Sequence, residues 1–202
     1  MRPDPYIFSL LLLLVGCVTA PPKNVNNACA IFSEYDDWYE AAMTTSRRWG
    51  VPIPVMLAII HQESAFQADA KPPRTRILWI FPGPRPSSAY GYSQALDDTW
   101  DGYIKATNNY GADRDNFVDA VDFVGWYVNE TWRRNKIPKH DAYRQYLAYH
   151  EGHADYTRGT YRNKTWLIKA AQQVRQQADR YRQQLNQCQS QLASVWPKTP
   201  VL

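Results

Sequence analysis

The stretch Pro54-Val-Met-Leu-Ala-Ile-Ile-His-Gln-Glu-Ser-Ala-Phe66 decides how this chain is read. Pro52 and Pro54 stand near the first helical position, where a missing N–H leaves nothing unpaired, so a helix is predicted to start there. At helical spacing Met56, Ile59, Ile60, Glu63 and Phe66 share one stripe, the face that turns toward a core. Glu63 therefore stands among apolar side chains. Burial disfavours its charged form, raises its pKa and lets it stay protonated near neutrality, as a general acid must. The position equally suits a structural Glu satisfied by a neighbouring donor, since structural networks also perturb carboxylates.

Outward from this segment the chain reads as helices separated by loops. Tyr35, Trp38, Ala42, Thr45 and Trp49 recur every three or four residues, and Gly50 follows as a stop. A proline-rich loop runs from about Asp69 to Ser88 and carries the apolar cluster Ile77-Leu-Trp-Ile-Phe81. Asp97 or Asp98 is placed to cap a short helix through Trp100 and Ile104. Phe117 to Arg134 is predicted amphipathic, with Val121, Val124, Val128 and Trp132 inward. Asp141 caps a further helix that runs to Gly152, and a last helix spans roughly Lys164 to Val195. Alternating β-branched runs are scarce. The expected fold is all-α.

Along the last helix Val174, Ala178, Tyr181, Leu185, Cys188, Leu192 and Val195 step by four and three, a heptad-like seam. Its first half is expected on the domain. Its second half is expected to lie along the N-terminal helix rather than to pair with another chain, because so short a seam is marginal alone.

The N-terminus indicates the compartment. Ile7-Phe-Ser-Leu-Leu-Leu-Leu-Leu-Val15 is too short to span a bilayer, and Leu14-Val15-Gly16-Cys17 resembles a bacterial lipobox. That resemblance implies cleavage after residue 16 and lipidation of Cys17; a plain signal peptide or a single membrane anchor is the alternative. Val18 rather than Asp follows Cys17, which by the same resemblance favours the outer membrane. The expected organisation is a signal peptide over 1–16 and a lipidated Cys with a flexible tether over 17–30. A domain over 31–168 and a C-terminal helix and tail over 169–202 complete it. Cys29 and Cys188 either pair in an oxidising compartment or remain two buried thiols.

Of the 202 residues about 185 remain after the signal, enough for one domain with a real core. A formal charge of +4 and a pI near 8.9 suit an anionic envelope polymer. No basic run or nucleic-acid motif is present, and no nucleic-acid partner is expected.

Three short motifs carry a family resemblance. His61-Gln62-Glu63-Ser64-Ala65-Phe66 resembles the Glu-Ser motif of soluble-lytic-transglycosylase-like domains, lysozyme-like enzymes that cut bacterial peptidoglycan. Gly91-Tyr92-Ser93-Gln94 is similar to the family's Gly-Leu-Met-Gln segment, and Ala148-Tyr149-His150-Glu151-Gly152 to its Ala-Tyr-Asn-x-Gly segment. The resemblance covers roughly Tyr35 to Ile168 and implies a lysozyme-like helical fold acting on glycan strands without metal or cofactor. It implies Glu63 as single acid and base, producing 1,6-anhydro-muramic ends with the sugar's own N-acetyl group assisting. Ser64, Gly91, Tyr92, Ser93, Gln94, Tyr149 and His150 are the expected substrate-side residues.

Two departures stand out. Gly91 lies 28 positions after Glu63, so the proline-rich segment reads as an insertion. Its Trp79 and Phe81 either wall the glycan groove or fold onto the core. His150 replaces the family's Asn, keeping a donor but adding a titratable charge. The run His150-Glu-Gly-His153 does not read as a metal site: its histidines are three apart, not the zincin's four, and a helix-ending Gly lies between them. Two other functions stay open. A goose-type hydrolytic muramidase needs a second carboxylate, for which Asp97, Asp98 and Asp101 are candidates. A catalytically inactive glycan-binding lipoprotein needs none, although it would have no use for Glu63.

Overall fold

The computed structural model describes residues 19–77 and 81–195. Its elements are α1 (Ala28–Glu34), α2 (Asp36–Trp49), α3 (Ile53–Ser64), β1 (Arg76–Ile77), β2 (Phe81–Pro82), α4 (Asp97–Thr107), α5 (Phe117–Asn135), α6 (Ala142–Glu151), α7 (His153–Arg158), a 3-10 turn (Thr160–Asn163) and α8 (Thr165–Val195). The fold is all-α, its β content limited among the described residues to a hairpin of two residues per strand in the proline-rich segment and one isolated bridge, Tyr90 to Ala95.

Helix α3 is the centre of the molecule. Pro52 is its N-cap and Pro54 falls in its first turn. Every side chain from Val55 to Ile60 is fully buried, so the helix is apolar all round rather than striped. Helices α8, α5, α2 and α6 surround it, and each fully buried aliphatic side chain contributes roughly 1.5–3 kcal/mol. The helix stops at Ser64, where Ala65 and Phe66 both take left-handed backbone, φ 49° and 62°. Phe66 is thus buried as expected, but from a turn and not as a continuation of the helical stripe.

The Tyr35–Trp49 periodicity becomes α2, closed by Gly50 in the left-handed conformation with its N–H on the Ser46 carbonyl at 2.8 Å. It crosses α5 at Gly125, where a Cβ would lie 2.5 Å from Thr45 Cγ2 and 2.8 Å from Trp49 Cδ1. Only a glycine lets the two helices approach so closely. Within α5, Val121, Val124 and Val128 face inward. Trp132 does not: in the last turn, past the core, it is 47% exposed, with Lys139 Nζ 4.8 Å from its ring. Leu96, not an aspartate, is the N-cap of α4. Asp97 and Asp98 occupy its first turn, where they complement the helix dipole, and Asp97 pairs with Arg114 at 2.8 Å.

The long helix α8 lies on α3, α6 and α1. Val174, Ala178, Tyr181, Leu185 and Cys188 of its seam are buried and Leu192 packs against the core, so both halves are used within the chain. Cys29 and Cys188 form a disulfide joining α1 to α8, with Cα atoms 6.1 Å apart. Gln184 adds a two-way clamp, accepting from Ala28 N at 2.9 Å and donating to the Asn26 carbonyl at 3.1 Å, while Tyr181 donates to the Val25 carbonyl. These bonds shorten the expected tether. Pro22 is buried, Tyr35 donates to the Ala20 carbonyl at 2.7 Å, and chain from about residue 20 onward lies against the domain. Cys17 lies outside the described residues, and no described helix is long and apolar enough to cross a membrane.

Candidate active site

A cavity of about 390 Å³ opens where the end of α3, the loop before α4, the middle of α5 and the end of α6 meet. Glu63, Gln94, Leu96, Thr99, Phe123, Tyr127, Tyr149, His150 and Glu151 are among its lining residues. Helix α3 delivers Glu63 here because its apolar body is locked in the core and its last turn alone reaches the cavity. The two left-handed residues after Ser64 fix where that turn ends. Such backbone costs about 1–3 kcal/mol per residue and persists where the surrounding packing over-determines it.

Glu63 is half-buried, and its Oε1 is shielded from solvent and has no hydrogen-bond partner. Burial pushes its pKa up to about 7, while a hydrogen bond from the Tyr146 hydroxyl on α6 pulls the other way. The negative end of the α3 dipole adds to the upward push. A carboxyl in this state is protonated for a substantial fraction of molecules near neutral pH and has a free oxygen. It can give a proton and take one back.

The second motif is a brace around that acid. Gly91 donates its N–H to the Ala70 carbonyl at 3.0 Å, and Gln94 Nε2 donates to the same carbonyl at 2.9 Å and to that of Gly91 at 2.8 Å. Tyr149 donates to the Ser93 carbonyl at 2.7 Å. Gln94 lines the cavity from a left-handed backbone, φ 50°. Gly91, φ 73°, is required: a Cβ there would sit 2.0 Å from the Arg114 carbonyl oxygen. Tyr92 and Ser93 are not on the cavity. Tyr92 is buried in an aromatic cluster, edge-on to Trp38 and Phe117, and Ser93 is fully buried. Ser64 also turns inward, donating to the Ile60 carbonyl at 3.2 Å. Trp79 lies outside the described residues.

The third motif places Tyr149, His150 and Glu151 on the opposite wall. Tyr149 meets Ser93 rather than Glu63; the tyrosine that meets Glu63 is Tyr146. Sequence reading missed Tyr146, although its position three residues before Tyr149 puts both on one helix face. Arg114 was also missed: its guanidinium ties Asp97 to the carbonyls of Ser88 (3.0 Å) and Ala95 (2.9 Å). Glu151 is buried, so desolvation pushes its pKa up, yet Lys164 at 2.6 Å, Thr160 and His150 more than reverse this and hold it below the usual carboxylate range. His153 turns away, its Nε2 at 3.0 Å from Thr131 Oγ1 and its ring stacked on Tyr127. Asp97, Asp98 and Asp101 do not line the cavity.

Residues 6–188 match the family model described as Transglycosylase SLT domain. No curated protein matches the chain. That family comprises lytic transglycosylases, glycosidase-like lyases that act on the peptidoglycan of the cell envelope. With its helical fold, its half-buried acid at a cavity and a match over most of its length, this chain belongs to the transglycosylase SLT domain family.

Proposed function

We propose that the protein cleaves the β-1,4 bond between N-acetylmuramic acid and N-acetylglucosamine in peptidoglycan, leaving 1,6-anhydro-muramic ends. The observation that carries this reading is Glu63, an acid with a pKa near 7 and a free oxygen at the cavity. Protonated Glu63 donates to the glycosidic oxygen as the C–O bond breaks, while the muramic N-acetyl oxygen supports the anomeric carbon. The carboxylate then takes the proton from the muramic 6-hydroxyl, which closes onto that carbon. Glu63 ends protonated, as it began, and no water is consumed.

The charge distribution supports internal attack over hydrolysis. Among the described lining residues the other acid is Glu151, already engaged by Lys164, Thr160 and His150. A base that must activate water needs a freer carboxylate. We assign substrate contact to Gln94, Tyr149 and His150, which line the cavity, and support of its walls to Ser64, Gly91, Tyr92 and Ser93. We further infer a lipid anchor on Cys17 facing the periplasm from the outer membrane, with the catalytic domain beginning close behind it. Replacing Cys17 by Ser is expected to release the protein from membranes.

Mass spectrometry of muropeptides released from purified sacculi tests the reaction, with Glu63→Gln beside the parent protein. Anhydro-muramic ends that vanish in the variant are expected. Products heavier by one water identify a hydrolytic muramidase. Sacculus binding without products, in both proteins, identifies a glycan-binding lipoprotein and overturns the catalytic reading.

A further inference from the structure

Against His150 on the cavity wall stands a residue that neither the motifs nor the reaction require. Trp166, in the first turn of α8, is 56% exposed, and its ring meets that of His150 edge-on at 4.9 Å. A large exposed indole on a folded surface is an informative exception to ordinary burial, above all when it adjoins a cavity. Here the segment that carries it is pinned. The Glu151 carboxylate, its side chain only 1% exposed, accepts from Lys164 Nζ and from the Thr160 hydroxyl, fastening the chain just before α8 to the end of α6. This ion pair, its carboxylate shielded and its ammonium partly exposed, explains Glu151 without any catalytic role: it sets the start of α8, and with it Trp166, beside the cavity-lining His150.

We propose that Trp166 and His150 form a second sugar-binding subsite, the indole stacking on the apolar face of an N-acetylated hexosamine ring beyond the one next to Glu63. The proposal rests on the glycan-cleaving reading of the cavity and extends it to substrate length. An indole presents a broad apolar face and little rotamer freedom, which suits the C–H face of a pyranose. Leu96, 46% exposed, lies among the cavity-lining residues and leaves an apolar rim for the strand. The polymer is long and repetitive, so a strand seated at Glu63 has further rings to place. Trp166 meets the cavity-lining His150 directly, whereas the other exposed indole, Trp132, adjoins Lys139, which does not line the cavity.

The test measures binding rather than turnover, so its failure is distinct from a failure of the proposed reaction. Glu63→Gln protein is titrated calorimetrically with β-1,4-linked N-acetylglucosamine oligomers of increasing length, alone and with Trp166→Ala, Trp166→Phe or Trp132→Ala added. The expected result is affinity that rises with length in the parent. Trp166→Ala should lose about tenfold on the longer oligomers only, the Phe variant should keep most of the gain, and Trp132→Ala should match the parent. Equal affinities for parent and Trp166→Ala at every length would overturn the subsite. So would an equal loss on the shortest oligomers, which would place Trp166 in the Glu63 subsite or in the fold itself. A parent that binds no oligomer overturns it too, even if the muropeptide assay shows cleavage.

Discussion

Tyr149 donates its hydroxyl to the Ser93 carbonyl at 2.7 Å, tying α6 to the loop that walls the cavity. The bond joins two of the three family motifs across a sequence separation of 56. Its loss in Tyr149→Phe leaves a buried carbonyl unpaired, at a cost of about 1–3 kcal/mol. The expected outcome is a lower melting temperature together with a larger fall in kcat than in substrate affinity, because the wall opposite Glu63 loosens. Thermal unfolding and steady-state kinetics on solubilised glycan strands check both.

Tyr146 gives the pH prediction. Its hydroxyl favours the charged form of Glu63, while burial disfavours it more, leaving the pKa near 7. Bond cleavage needs the protonated acid, so kcat/KM is expected to fall as pH rises through about 7. Tyr146→Phe removes the influence that lowers this pKa, and the alkaline limb moves to higher pH. A limb that stays in place or moves to lower pH would show that Tyr146 does not act on the acid.

The same shift has a consequence for stability. A carboxyl whose pKa is raised in the folded state favours folding below its unfolded pKa, and that contribution is lost as pH rises through the folded value. Between the ordinary value of 4.5 and about 7 the parent protein therefore loses stability through Glu63. Glu63→Gln carries no charge and escapes this loss. It is expected to match the parent near pH 4 and to exceed it by about 2–3 kcal/mol at pH 8, measured by urea denaturation at both pH values.

How far the sequence alone reaches is visible in particular residues. Glu63 is legible because it is the one acid of a helix that is apolar from Ile53 to Ile60, on the same stripe as Met56, Ile59 and Ile60, and the α2, α5 and α8 periodicities are long enough to register. The stripe drawn through α3 is too narrow: Val55, Leu57 and Ala58 are buried as fully as Met56 and Ile59, because a central helix has partners on every side. Trp132 falls on the inward register yet emerges into solvent, since periodicity does not say where the core ends. Helices α1 and α7, of seven and six residues, are too short for a period to register. The Tyr146–Glu63 and Tyr149–Ser93 contacts are tertiary, and no local spacing encodes them. Tyr92 and Ser64 share their motifs with cavity residues but turn into the core, because neighbours along a chain face different ways.

The disulfide sets the next expectation. Cys29–Cys188 closes a loop of 159 positions and ties α1 to the helix that covers α3. In the chain-entropy model a loop of that length stabilises the fold by about 5 kcal/mol. Reduction, or the paired change of both cysteines to Ala, is expected to lower the denaturation midpoint while leaving the cavity chemistry in place. The Gln184 clamp and the Leu185 contact keep α8 seated. A double variant with unchanged stability would show that these other ties already restrict the unfolded and folded chains alike.

Gly91 is the position where the brace allows no substitution. Its φ of 73° is one that a β-carbon disfavours, and a Cβ would meet the Arg114 carbonyl oxygen at 2.0 Å. Backbone, unlike a flexible side chain, cannot yield cheaply, because Arg114 is held by Ser88, Ala95 and Asp97. Gly91→Ala is expected to cost at least about 3 kcal/mol and to displace the segment through Gln94. Activity should then fall further than in Gln94→Ala, which loses two side-chain bonds but leaves the Gly91–Ala70 backbone bond intact. Equal stability and activity for Gly91→Ala and the parent would mean that the loop has room to move, and that the wall facing Glu63 is not set by this brace.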